Sequence, residues 1–298
     1  MLRHRFLRQL ERPAGAALGA AVLLLTAAAC APGVLSPSDP TRIQGALSLR
    51  PPAPGHPLGT DLLGKDVLNQ IIYGTGTTLG IAASAVVLSL LVGTAVGLVS
   101  GFWGGSMLDE SLMRVVDALY VFPDLILALT IVAILGPEHL GSVVVALAVG
   151  HVPAYARLVR GRVLSLREAE FVAAARSVGA SVRRILVRHV LPQTNDVILA
   201  RSVVGLSGII LGESALSFLG LGVQPPTPSW GRMLRDGFQY LATAPWVALA
   251  PGAAVFFTVF VFNQAGEILR DLLDPRTASA RGAGRAGLTA AHSPGARA

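Results

Sequence analysis

The sequence predicts an all-α, polytopic membrane protein with about six transmembrane helices, on three observations. Hydrophobic residues make up 52% of the 298 and charged residues only 14%, where soluble domains carry about 25% charge. The apolar residues gather in six runs that cross or nearly cross a bilayer, a distance of about 20 helical residues. The basic residues lie almost entirely between those runs. A net charge of +7 and a pI near 10.6 would also suit a nucleic-acid partner, but that placement excludes one. The single Cys30 rules out an intrachain disulfide framework.

The runs fall at roughly 16–35, 77–102, 116–136, 140–156, 196–222 and 244–269. Pro123 and Asp124 interrupt the third, and the fourth is short. An even number of spans puts both termini on one side. With the N-terminus inside, cytoplasmic segments hold 18 of the 24 basic residues and the outer loops hold five. Arg201 lies near the inner end of the fifth span. The positive-inside rule therefore places both termini in the cytoplasm. The first run also resembles a lipoprotein signal with Cys30 as the lipidated residue. Ala27 at a position where such signals usually have Leu, and the run's continuation past Cys30, favour an uncleaved span.

Between the first two spans, SPSDP and RPPAPGHP predict extended or turning backbone. Leu63, Val67, Ile71 and Ile72 then share helical spacing, which predicts a short interfacial helix leading into the second span. In the outer segment 223–243, Trp230 and nearby Trp246 suit the membrane–water boundary. The tail from Thr277 is Ala/Gly/Arg-rich without periodicity and reads as disordered. Domain limits follow: 1–75 for the N-terminal segment, first span and outer segment; 76–270 for the membrane domain with its cytoplasmic loop at 157–195; and 271–298 for the tail.

Residues 165–192 form an Arg-rich loop that a lipid-facing span cannot carry. Ser165 followed by Glu168 predicts a capping-box helix start, and Gly179 a stop. Ser181 predicts the cap of a second helix with Val182, Ile185 and Leu186 on one face and Arg184 and Arg188 on another. Pro192 is expected to end it. Gly93, Gly97 and Gly101, spaced by four, predict a close helix crossing. Glu213, inside the fifth span, is a costly carboxylate, expected to pair with a neighbouring helix or backbone at an interface; direct substrate contact is the other reading. Arg114 is expected to pair with Asp117. There is no GxxxxGK[ST] loop for nucleotide, the six histidines show no metal-ligand spacing, and Ser214 lacks the second glycine of a GxSxG elbow. The residues alone leave three classes open: a partner-driven transporter, a stand-alone secondary transporter and a membrane scaffold.

The loop AAARSVG…HVLP resembles the cytoplasmic EAA loop of type I ABC importer permeases, with Ala173, Ala174, Ala175, Gly179, Leu191 and Pro192 at the pattern positions. It departs from the pattern at Ala173, usually Glu, and at His189, usually Ile. Both departures resemble the C-type permease of the dipeptide/oligopeptide/nickel branch. HPLGTDLLGKDVL (56–68), the stretch at 104–129, ESALSFLGLGVQPPTPSWGRML (213–234), PWVALAPG (245–252) and NQAGEILRDLLDPR (263–276) are similar to that branch as well. The resemblance implies a non-catalytic subunit that forms half of an import path in a bacterial or archaeal plasma membrane. The implied partners are a second homologous permease, ABC ATPases (two chains or one fused) that bind the ATP, and an extracytoplasmic binding protein. It implies no cofactor of its own. Peptides are the leading cargo; nickel, glutathione-like compounds or sugars are alternatives. The docking segment would be Glu170–Gly179, with Phe171, Val172 and Ala175 as apolar contacts, Arg176 as a polar one, and small residues at 173–175 allowing close approach.

Overall fold

The computed structural model describes residues 13–273 apart from Pro37 and Glu138. The expected tail therefore lies outside the described residues, as do residues 1–12. The architecture is helical, with only two isolated β-bridges among the described residues, both in the outer segment. Its main elements are α1 (Pro13–Cys30), α2 (Val67–Phe102), α3 (Met107–Val121), α4 (Asp124–Leu135) and α5 (Leu140–Leu166). They continue with α6 (Glu170–Ser177), α7 (Val182–Ile185), α8 (Asn195–Phe218), α9 (Trp230–Phe238) and α10 (Trp246–Leu273).

Four helical stretches are long and apolar enough to cross a membrane: α2, α5, the continuous run Val182–Phe218 that ends in α8, and α10. A fifth crossing arises if α3 and α4, bent by 96° at Phe122–Pro123, count as one broken span. Proline accounts for the break, because it disfavours helical backbone at the residue before it. The expected first span is shorter than the sequence suggests. Its apolar part is Ala16–Cys30, and Ala31 separates it from a helical turn at Pro32–Leu35.

The second span begins ten residues before its expected start. Asp66 caps α2 by accepting from the Asn69 N–H at 2.8 Å, so the expected interfacial helix is instead the first turns of a 36-residue helix about 54 Å long. Leu63 falls outside it, in a turn. That turn is held by Asp61, whose carboxylate accepts from the N–H groups of Leu63 and Lys65 at 2.8 Å. Gly64 allows the turn: its φ is +73°, and a Cβ there would sit 1.9 Å from the Gln44 carbonyl.

α2 and α5 form the central pair of the bundle. A Cβ on Gly93 would lie 2.5 Å from Tyr155 Cβ, one on Gly97 2.6 Å from the Ala156 carbonyl, and one on Gly101 2.7 Å from Val163 Cβ. The three glycines thus bring two backbones together, as their spacing predicts. α8 and α10 pack beside this pair, and α1 leans on α2 and α10. Ile209, Ile210, Leu216, Val143 and Ala85 fill the main core, with Trp230 at its outer end. A second, smaller core of Val159, Val163, Val172, Ile185, Val190 and Ile198 lies under the 165–192 loop.

The tryptophan expectation needs correction at Trp230, which is 1% exposed. Its indole N–H donates to the Ile71 carbonyl at 3.0 Å, so it is a core residue with a satisfied donor. Trp246 donates to the Thr60 carbonyl at 3.2 Å and ties α10 to the outer segment. The Arg114–Asp117 pairing also fails. Asp117 accepts from Arg157 on α5 at 2.7 Å, and Arg157 stacks over Tyr120 at 4.3 Å. Arg114 reaches Glu110 instead, at 4.0 Å.

The crossing predicts an asymmetry among the glycines of α2. Gly97→Val should cost about 2 kcal/mol or more through overpacking and lower the unfolding temperature in detergent. Gly80→Ala, whose Cβ would meet nothing within 4 Å, should leave that temperature unchanged or slightly raised. Equal melting of the two variants by a thermal-shift assay would contradict the crossing.

Candidate functional site: the 165–192 loop and its anchors

Ser165 does not start a helix. It lies inside α5, which runs to Leu166, and the next helix begins at Glu170 with Ala169 at its cap and no side-chain bond. Gly179 ends α6 as its type predicts. Its φ is +76°, the Ala180 N–H donates to the Ala175 carbonyl at 3.0 Å, and the Gly179 N–H donates to Arg176 at 2.9 Å. These two bonds are a Schellman closure. Ser181 then caps α7, accepting from the Arg184 N–H at 3.4 Å.

Pro192 does not stop the chain. Lacking an N–H, it cannot bond back to Arg188, and the ladder shifts around it. Leu186–Val190 form a π turn closed by the Leu191 N–H on the Leu186 carbonyl, and Leu191–Thr194 form a 3₁₀ turn that runs directly into α8. The hairpin α6–α7 is thus joined to a membrane helix without a flexible break.

Burial divides the expected docking residues into two sets. Val172 is fully buried and Ala175 nearly so, both packed into the small core with Val163 and Ile185. They hold the hairpin to its own chain and are not available to a partner. Glu170, Phe171, Ala173 and Ala174 face outward. Val178, 83% exposed, and Val182 extend that outer face. A helical projection finds them, since 171, 174 and 178 follow the i, i+3, i+4 spacing of one face. Arg176 is exposed but placed over the Phe102 ring at 5.1 Å, against the end of α2. Leu191 is half-buried and Pro192 exposed.

The hairpin's base is clamped by an ionic group that the sequence alone did not single out. Asp109, 2% exposed, accepts two bonds from Arg160, from Nε and a terminal nitrogen, each at 2.7 Å. It also accepts from the Ser100 hydroxyl and from the Gly105 N–H at 2.9 Å. Four donors on one carboxylate compensate its burial. Arg167 adds a bond to the Gly104 carbonyl at 2.9 Å. The α2–α3 turn is thereby fastened to the C-terminal half of α5, the helix that leads into the loop.

Glu213 occupies a separate node near the outer end of α8. It has no exposed surface and accepts from the Ser217 hydroxyl at 2.7 Å. Ser217 in turn accepts from the Val223 N–H at 3.1 Å and the Ser229 hydroxyl at 3.5 Å. Thr78 of α2 and Ser214 complete the surroundings, and Thr78 accepts from the Trp230 N–H at 3.5 Å. The carboxylate therefore joins α2, α8 and the start of α9 within one chain. With no exposed surface, it does not lie on the face this chain presents to its surroundings.

Residues 93–279 match the family described as the binding-protein-dependent transport system inner membrane component. The chain belongs to this family. It is 42% identical over 231 residues to the dipeptide transport system permease protein DppC of Alkalihalophilus pseudofirmus, covering 78% of this chain and 75% of that one. It is 40% identical over 276 residues to the glutathione transport system permease protein GsiD of Pectobacterium atrosepticum, covering 92% and 90%. The fold is similar to a chain of the MetNI methionine ABC transporter in inward-facing form, with TM-score 0.56 at 19% identity, covering 69% of this chain and 97% of that one. This family member is a multi-pass inner-membrane transport component, and such permeases work with ATPase and binding-protein partners.

Nothing in the local pattern marks Asp109 as more than a first-turn acid behind Ser106, because its partner Arg160 is 51 residues away. The clamp makes a specific prediction. Asp109→Asn should lower the permease's stability by about 3 kcal/mol, the cost of breaking a buried pair. Asp109→Asn together with Arg160→Gln should be less destabilised than the sum of the two single changes. Additive losses in chemical denaturation would show that the two residues act independently.

Proposed function

We infer that this chain forms half of the translocation path of an ATP-driven importer for peptides, delivered by an extracytoplasmic binding protein. A second homologous permease would form the other half, and ABC ATPases, two chains or one fused, would supply the energy. The observation that carries this reading is the loop. It presents a small, partly apolar outer face (Phe171, Ala173, Ala174, Val178) on a hairpin packed firmly against its own bundle. Such a face suits docking into a groove of a soluble subunit, and the packing suits transfer of its movement. Alternating access then follows from a shift between two arrangements of the paired bundles, biased by ATP in the partner.

Peptide cargo is supported by relatives whose names specify dipeptide, glutathione and peptide transport, at about 40% identity over most of the chain. The same architecture would serve nickel, glutathione-like compounds or sugars, because the binding protein does much of the selecting. Uptake of a peptide panel against glutathione by the reconstituted complex separates these cargoes. The positive-inside distribution supports a cytoplasmic position for both termini and the loop.

Ala174→Glu, on the exposed face, should leave membrane insertion intact and abolish binding-protein-stimulated ATP hydrolysis and uptake, because a charge enters a packed interface. Wild-type stimulation in that variant would refute the docking role. A cysteine at exposed Ser177, in a Cys30→Ala background, should react with an impermeant thiol reagent only from the cytoplasmic side. Labelling from outside would overturn the orientation.

A further inference from the structure

Asp124 and Arg201 carry opposite charges within the membrane-spanning bundle, and neither forms an ion pair with a described residue. Asp124 opens α4 at the break in the α3–α4 pair and is exposed on the chain's surface. Its Oδ1 would lie 3.7 Å from a Cβ on Gly150 of α5. Gly150 is ten residues into α5, about 15 Å along the helix and thus near the middle of the bilayer. A helix start favours a carboxylate but does not replace its hydration. At this depth an exposed carboxylate cannot face hydrocarbon, so water or a polar partner must cover it.

His151 follows on α5. Its Nδ1 lies 3.0 Å from the Leu147 carbonyl, so an Nδ1–H donates there and leaves Nε2 as an open acceptor. Nε2 lies 3.3 Å from the position of a Cβ on Gly208 of α8, a contact that glycine keeps open. Asp124 and Arg201 both fall within electrostatic reach of this ring. Arg201 is half-buried, seven residues before Gly208 on α8, or about 10 Å nearer the cytoplasm. One carboxylate, one imidazole and one guanidinium thus follow one another in depth across three helices. An axial separation of about 10 Å between the Arg201 and Gly208 levels suits the two ends of a short extended peptide.

We propose that Asp124 and Arg201, with His151 between them, line the translocation path and receive the ammonium and carboxylate ends of a zwitterionic peptide. This rests on the importer reading above. Glu213, buried and bonded within its own chain, is not part of the path.

The test uses the complete importer in proteoliposomes, with Cys30→Ala as background and single cysteines at Asp124→Cys or Arg201→Cys. Charged methanethiosulfonates should modify both positions, and saturating dipeptide or tripeptide with binding protein should slow modification roughly fivefold or more. Asp124→Asn should lower peptide uptake roughly tenfold while binding-protein-stimulated ATP hydrolysis stays near wild type. Absence of modification in every nucleotide state, or modification that cargo does not slow, would overturn the assignment; so would joint loss of uptake and ATP hydrolysis in Asp124→Asn. Wild-type uptake in the same vesicles keeps the two readings distinct. A complex that imports no peptide refutes the cargo reading, while protection by whatever zwitterion it does import still decides the site.

Discussion

The close approach of α2 and α5 along Gly93, Gly97 and Gly101 is the constraint on which the rest of the structure depends. In a bilayer, apolar side chains gain little by leaving lipid for protein, so association relies on van der Waals contact and hydrogen bonding. Three glycines remove the Cβ atoms that would hold the two backbones apart. The consequence reaches both surfaces. α2 leads out of the outer segment through the Asp66 cap, and α5 leads into the cytoplasmic loop. The packing suits transfer of a displacement of the loop to the helix that carries the 36–66 segment.

Glycine contact sets distance but does little to fix how far one helix slides along the other. The polar anchor at Asp109 supplies that, and a second one at Glu213 fixes α8 and α9 beside the pair. At the end of the pair next to the 165–192 loop, Asp109 gathers Arg160, Ser100 and the Gly105 N–H. Near the outer end, Glu213 and Ser217 hold α8, the Val223 backbone and the Ser229 cap together. A buried carboxylate without its donors is costly, so any slip that separates them is opposed. Asp109 is paired with a guanidinium, whereas the neighbours of Glu213 are hydroxyl groups; both anchors act within one chain.

Features set by local chemistry were legible in the sequence. The six-run pattern indicated the helical membrane class, the four-residue glycine spacing indicated the crossing, and Gly179 and Ser181 marked a helix end and a helix start. Other features depended on distant residues. Val172 looked like a docking contact, yet Val163 and Ile185 cover it. Trp230 looked like an interfacial tryptophan, yet the Ile71 carbonyl draws its indole into the core. Asp117 chose Arg157 across a helix boundary over Arg114 on its own helix. Pro192 looked like a terminator, but a π turn followed by a 3₁₀ turn absorbed its missing donor. A periodic pattern also cannot show where a membrane helix stops short of or overruns the bilayer, which is why α1 is shorter and α2 longer than expected.

The loop hairpin and the α2–α5 pair are expected to move as one body when ATP binds to the partner. Spin labels at Ser177 on the hairpin and at exposed Val87 on α2, in a Cys30→Ala background, allow this to be measured by pulsed electron resonance in the assembled complex. The account predicts one unchanged distance between nucleotide-free and ATP-trapped states, while the distance from Ser177 to a label on the partner permease changes. A shift of several ångströms within the chain, with broadening of the distribution, would show that the hairpin swings independently and would contradict the account.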